Sequence, residues 1–129
     1  MSIIEVAKSY INAVQTGDQA GLGRLLSPEI VWHQPGQNRF SGTHNGLQAV
    51  VNMIGRMMEH SNGTFAITRT VRFSANGEWV AVELEFSGQR DGARLNQPGI
   101  DLLKIENGQI VEARLFSSDQ KAEDEFWGK

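Results

Sequence analysis

The sequence predicts an α+β fold in which three N-terminal helices pack on a strongly curved, mainly antiparallel sheet, in the order αα-β-α-ββββ. Three observations carry this. Up to about residue 60 most apolar residues recur at helical spacing, and after Ser61-Asn62-Gly63 the period falls from 3.6 to 2. Asn76-Gly77, Asp91-Gly92 and Asn107-Gly108 then separate alternating runs, which is the pattern of an antiparallel meander. Helices and strands that segregate along a chain argue for helices packed on one face of a sheet. A sheet that curls around helices leaves an apolar cavity at its open end.

The first helix is expected over residues 2–16. Ser2 and Glu5 have capping-box spacing, each able to satisfy a free backbone donor. Ile4, Ala7, Ile11 and Val14 form one apolar row, and Ile3, Val6, Tyr10 and Ala13 form the row beside it. Tyr10 therefore faces inward, where a phenol needs a hydrogen-bond partner. Gly17-Asp18 stops this helix and opens a second over 18–27, with Leu22, Leu25 and Leu26 inward and Pro28 ending it. A strand over 29–34 follows, and then a loop over 35–43 rich in turn-forming residues.

Thr43 is placed to cap a third helix over 44–60, whose Leu47, Val50, Val51, Ile54, Met57 and Met58 follow helical spacing. Phe65, Ile67, Val71 and Phe73 start the sheet, and Val80, Val82, Leu84 and Phe86 continue it. Strands over 93–106 and 109–117 complete the meander. The tail 118–127 reads as a short helix capped by Ser118 or Asp119 and anchored by Phe126-Trp127. With no linker or repeat, the chain is one domain over residues 1–129. Within it, Ile30–Gly46 (IVWHQPGQNRFSGTHNG) joins a strand to a helix by a polar loop and reads as a pocket rim.

Composition narrows the function classes. The 129 residues are 40% hydrophobic and 21% charged, the balance of a globular domain. A net charge of -3 with no run of Lys or Arg gives nucleic acid little to bind. No apolar run reaches the roughly 18 residues of a membrane span, and no basic flank precedes an apolar leader, so a cytoplasmic location is expected. With no cysteine there is neither a disulfide nor a thiolate nucleophile. His33, His44 and His60 lack metal-ligand spacing, and neither a GxSxG elbow nor a phosphate-binding loop occurs, so no metal and no cofactor are expected. Asn62-Gly63-Thr64 matches a glycosylation sequon but reads as a turn.

Four stretches then resemble a known superfamily. They are Tyr10 to Asp18 (YINAVQTGD), Val31 to Gly36 (VWHQPG), Ser41-Gly42, and Gly99 to Phe116 (GIDLLKIENGQIVEARLF). Nearly end to end the chain resembles the cone-shaped α+β superfamily of nuclear transport factor 2, steroid Δ-isomerase and the SnoaL-like polyketide cyclases. The first and last stretches are similar to bacterial ketosteroid isomerase. VWHQPG and the closing Asp119…Phe126-Trp127-Gly128 are similar to bacterial SnoaL-like proteins. The superfamily hosts isomerases, dehydratases, cyclases, epoxide hydrolases and binding modules, so the resemblance implies a fold more sharply than a reaction.

Residue by residue, the resemblance puts Tyr10 at the oxyanion-hole tyrosine of ketosteroid isomerase and Asp101 at the protonated aspartate of the same hole. Two neutral donors in an apolar site would hold a developing enolate. Asp101 also alternates in phase with Leu103 and Ile105, so its carboxyl is expected to face an apolar interior, which raises a carboxyl pKa. The general-base position falls on Gln34, an amide that takes no proton at neutral pH. His33 titrates in the right range but neighbours Gln34 on a strand, so the two face opposite sides unless a bulge intervenes.

Asp119, in phase with Val111, Ala113 and Leu115, is the other candidate base, and a helix cap is its simpler reading. Arg114 is expected to pair with Glu83, Glu85 or Glu112 on the outer sheet face. Trp32, Gln34, Met57, Phe86 and Phe116 are the expected ligand contacts, although methionines also serve as core filler. His44 and His60 are expected at the ends of the third helix, in solvent.

The leading functional expectation is a cofactor-free isomerase, cyclase or dehydratase acting by proton transfer on a small apolar carbonyl compound. Tyr10 and Asp101 would stabilise the enolate, and His33 or Asp119 would take the proton. The alternative is a non-catalytic ligand-binding module of the same fold, which Gln34 at the base position favours. A third is a dimeric interaction domain. Partly apolar residues on both sheet faces suit a homodimer through the outer face.

Overall fold

The computed structural model describes residues 1–129. Its elements are α1 (Ile3–Thr16), α2 (Gln19–Leu25), β1 (Leu26–Gln34), β2 (Gly42–Asn45), α3 (Leu47–His60), β3 (Ala66–Asn76), β4 (Trp79–Arg90), β5 (Ala93–Glu106), β6 (Gln109–Ser117) and α4 (Gln120–Trp127). The strands form one sheet in the order β2-β1-β6-β5-β4-β3. All pairings are antiparallel except β1 with β6. The α+β class and the curved sheet are as predicted.

α1 begins with the expected capping box, Ser2 and Glu5 exchanging backbone and side-chain bonds of 3.1 Å, and ends at Gly17 in the left-handed region. Val6, Ala7, Tyr10, Ile11 and Ala13 are buried, so its two predicted rows both face the sheet. In β4 and β5 burial alternates with a period of two, putting Val80, Val82, Leu84 and Phe86 inside together with Asp101, Leu103 and Ile105. Register shifts within the β3–β4 pair mark bulges. Bulges bend and twist a strand, curling that end of the sheet around α1.

Three expectations about local structure are corrected. Pro28 does not end α2, which stops at Leu25; the proline lies within β1. Thr43 caps nothing. It pairs with His33 in β2, a strand the periodicity did not reveal, and α3 starts three residues past the expected position at Leu47 with no side-chain cap. His44 is therefore not at a helix end in solvent; it is half-buried in β2, with Nε2 2.8 Å from the Phe40 carbonyl.

His60 does end α3, but its ring packs edge-on to Phe40 and beside Trp127 rather than in solvent, while an Arg39 Nη1–H donates to its Nδ1 at 3.3 Å. These aromatics explain the closing Phe126-Trp127: Trp127 is fully buried, 5.1 Å from Phe40 and 5.3 Å from Phe65 between ring centres. Burying such a side chain is worth about 3 kcal/mol, enough to hold an eight-residue helix against the open end of the sheet.

Candidate functional site

Between the inner sheet face and the four helices lies a cavity of about 570 Å³. That is the size of a small-molecule pocket. Tyr10 reaches it from α1, Leu22 from α2, Met57 from α3, Trp32 and Gln34 from β1, Phe86 from β4, Asp101 from β5 and Glu123 from α4. Sixteen of its 24 lining residues are hydrophobic, and none is Lys, Arg or His, so nothing in the wall would neutralise an anionic ligand.

The polar groups fall into two kinds. Tyr10 and Asp101 are 3% and 7% exposed, yet neither side chain has a hydrogen-bond partner in the protein. Neither is among the sealed, unpaired polar atoms, a status that belongs to His60 Nε2 alone, so their oxygens open into the cavity. Asp101 is flanked in register by Val82 and Leu115. Burial in these surroundings pushes its carboxyl from 3.8 up to about 7, and the charge of Glu123 acts in the same direction. Burial likewise holds the Tyr10 phenol well above its ordinary 10, with Asp101 adding to the effect. Both groups can donate a hydrogen bond at neutral pH.

Gln34 and Glu123 are instead fixed by protein contacts. The Trp32 indole N–H can only donate, and it gives its proton to Gln34 Oε1 at 3.0 Å. The Gln34 amide is thereby oriented, and its NH2 is left as a further donor in the wall. Glu123, 3% exposed, accepts from Ser117 Oγ at 2.6 Å and Gln120 Nε2 at 3.1 Å on Oε1, and from Trp127 Nε1 at 3.1 Å on Oε2.

Of the residues singled out in the sequence, Tyr10, Asp101, Trp32, Gln34, Met57, Phe86 and Phe116 all line or border the cavity. Phe116 only borders it: it is 51% exposed and pairs in register with Ile100, which alternates to the outer sheet face. The two candidate bases do not. His33 alternates away from Trp32 and Gln34 onto the outer sheet face, with Nε2 2.8 Å from Glu112 Oε2. Arg114 joins that cluster through Glu112 at 3.2 Å, one of the pairings expected for it. Asp119 is exposed and accepts from the Ala122 N–H at 3.0 Å as the cap of α4. Its backbone is pinned by the buried Gln97, which accepts from the Asp119 N–H and donates to its carbonyl.

Glu123 was the residue missed. The signal lay in the tail: Glu123 precedes Phe126 and Trp127 by three and four residues, which places a carboxylate on the apolar face of α4. No group of three or more His, Asp or Glu side chains is arranged to hold a metal ion.

Comparison with known proteins agrees with this architecture. A family model described as a SnoaL-like domain matches residues 7–113. A protein of unknown function with a cystatin-like fold from Xanthomonas campestris is 60% identical, covering 100% of both chains with a TM-score of 0.98. Bal32a, from a soil-derived mobile gene cassette, is 27% identical over 97% of this chain and 95% of its own, with a TM-score of 0.92. IdmH of Streptomyces antibioticus, a proposed polyketide cyclase, shares the fold at 15% identity, covering 92% of this chain and 94% of its own with a TM-score of 0.75. Among curated proteins none matches.

Proposed function

The chain belongs to the SnoaL-like domain family, and on that premise we propose that it is a small-molecule enzyme acting by proton transfer without a cofactor. Its substrate would be a neutral, largely apolar carbonyl compound, and the reaction an isomerisation, cyclisation or dehydration. One observation carries this reading: Asp101 is a buried carboxyl with no protein partner, opening into an apolar cavity and poised at about 7. An acid whose pKa lies near the working pH serves proton transfer in either direction. A carboxyl left unpaired on an apolar face also costs stability, which a purely structural role does not repay.

The steps follow from the donors present. The Asp101 carboxylate takes the proton from the carbon beside the substrate carbonyl, and the C–H electron pair moves into the carbonyl to give an enolate. The Tyr10 hydroxyl and the Gln34 amide N–H donate to the enolate oxygen in a site with largely apolar walls. The proton then returns from Asp101 to a second carbon; or the enolate carbon attacks another carbonyl, whose oxygen takes the C=O electron pair and that proton; or a β-hydroxyl leaves with that proton as water. The lining favours neutral substrates, since it lacks a cation and contains Glu123.

A screen of α,β-unsaturated ketones and polyketide-like poly-carbonyl compounds tests this reading, with absorbance reporting turnover. Asp101→Asn is expected to reduce kcat about 10²–10⁴-fold and Tyr10→Phe about tenfold. Turnover unchanged in Asp101→Asn would overturn the assignment. A second reading, a non-catalytic binding module, draws on Gln34 at the position of a base and on His33 and Asp119 lying outside the cavity. Tight binding of the same compounds without turnover would select it. We also propose that two copies associate through the outer sheet face, where Ile100 and Phe116 are exposed.

A further inference from the structure

The cavity contains two carboxyls and no cation, and the protein treats them in opposite ways. Glu123 receives three hydrogen bonds, while Asp101 receives none. Two of the three donors cannot reverse their role. The Trp127 indole N–H only donates. The Gln120 amide is fixed because its nitrogen bridges Glu123 Oε1 and Asp124 Oδ1 at 3.1 and 3.0 Å, both acceptors. A proton on Oε2 would displace the indole, and one on Oε1 could go only toward Ser117 Oγ. The surroundings of Glu123, 3% exposed, thus fit a carboxylate that only accepts.

Ordinarily a buried charge is met by a counter-charge. Here only neutral donors meet it, and the second carboxyl lies in the same apolar space. Two like charges so placed do not both ionise at little cost, and the proton goes to the group with fewer donors. The groups facing Asp101 leave no other assignment. α1 presents the neutral Tyr10, β4 and β6 present Val82 and Leu115 in register, and α4 presents Glu123.

We propose that Glu123 is the positioning residue of this site: a carboxylate locked on α4 by Ser117, Gln120 and Trp127 that keeps the proton on Asp101. α4 then does more than close the cone, because it sets the protonation state of a group on β5. This inference rests on the reading of Asp101 as the acting group, but it concerns where the proton resides and can be tested without turnover.

The test is a ¹³C NMR titration of side-chain carboxyls in the full-length protein, with Asp101 and Glu123 assigned by their loss in Asp101→Asn and Glu123→Gln. In the unsubstituted protein the Asp101 midpoint is expected well above its free value of 3.8. In Glu123→Gln the Asp101 midpoint is expected to fall by about half a unit or more, because one negative charge is gone. Any pH profile of turnover should move toward acid by the same amount.

An unshifted Asp101 midpoint in folded Glu123→Gln would overturn the proposal. If that variant does not fold, the unsubstituted protein still decides, since an Asp101 midpoint at the free value of 3.8 would overturn the proposal equally. The proposed reaction fails separately: unchanged turnover in Asp101→Asn would remove the chemistry while leaving the Asp101 midpoint to stand or fall by itself.

Discussion

At the scale of residues, the cavity carries a cost that can be measured. The Asp101 carboxyl titrates near 3.8 when free and at about 7 in the folded protein. Between those values the folded state binds the extra proton, so the contribution of Asp101 to stability is intact below about pH 4 and is lost as pH rises through 7. At about 1.4 kcal/mol per unit over roughly three units, the loss is of order 4 kcal/mol. Asp101→Asn lacks it. The variant is expected to gain stability relative to the unsubstituted protein between pH 4.5 and 8, by several kcal/mol in urea unfolding, while losing function. A difference that stays flat with pH would contradict the buried, unpartnered carboxyl. Such a trade of stability for a strained, functional group is common at active sites. Asp101 and Tyr10 were legible in the sequence because strand and helix periodicity gives the direction of a side chain. His33 and Asp119 were not excluded there. His33 depended on whether a bulge intervened, and Asp119 on whether capping or the cavity claimed its carboxylate. Glu123 stayed hidden because α4 is short, and its face is defined only by the aromatic contacts of Phe126 and Trp127.

At the scale of elements, the rim between β1 and α3 is held by α4 as well as by its own turns. Asp124 Oδ1 accepts from the Gln37 N–H at 3.0 Å, Asn38 Nδ2 at 2.8 Å and Gln120 Nε2 at 3.0 Å. Burial alone would raise this carboxyl, but the donors from Asn38, Gln120 and Gln37 outweigh it and hold the group below 3.8. The clamp is therefore present above about pH 4 and is lost as pH falls through the lowered value. Gly36 makes the close approach possible: its φ is +88°, and a Cβ there would collide with Asp124 Oδ1 and the Gln120 amide. Gly36→Ala should cost about 2 kcal/mol from backbone conformation and crowding together. Asp124→Ala should speed amide exchange at residues 37–41 while α1 stays protected. Unchanged exchange over that loop would show that the clamp does not hold it. Pro35-Gly36 was readable as a turn, but the partner that fixes the turn lies near the far end of the chain. β2 was unreadable for a similar reason: Gly42–Asn45 has no alternating pattern and becomes a strand only because β1 offers it an edge.

At the scale of the whole molecule, local periods gave the helices and the meander, whereas the closure of the cone needed the parallel pairing of β1 with β6, elements far apart in sequence. That closure puts the cavity on one side of the sheet and leaves the other side bare. Ile100 and Phe116 are paired across β5 and β6 on the bare side, at 39% and 51% exposure. Around them lie exposed or half-exposed ion pairs, Arg72 with Glu83 at 3.1 Å and Arg69 with Glu85 at 3.1 Å. An apolar centre ringed by charge is the anatomy of an association surface, and a copy of the same chain can match it about a two-fold axis. Ile100 is the better probe of the two, since it does not line the cavity and its register partner on β4 is Glu83. Ile100→Glu would set two carboxylates side by side at the centre of the proposed interface, where like charges oppose association. Sedimentation at micromolar concentration is expected to give a dimer for the unsubstituted protein and a monomer for Ile100→Glu, with the Asp101 titration unchanged because that carboxyl faces the opposite side of the sheet. A monomer in the unsubstituted protein would contradict the outer face as the interface. A dimer that survives Ile100→Glu would place the contact elsewhere on the surface.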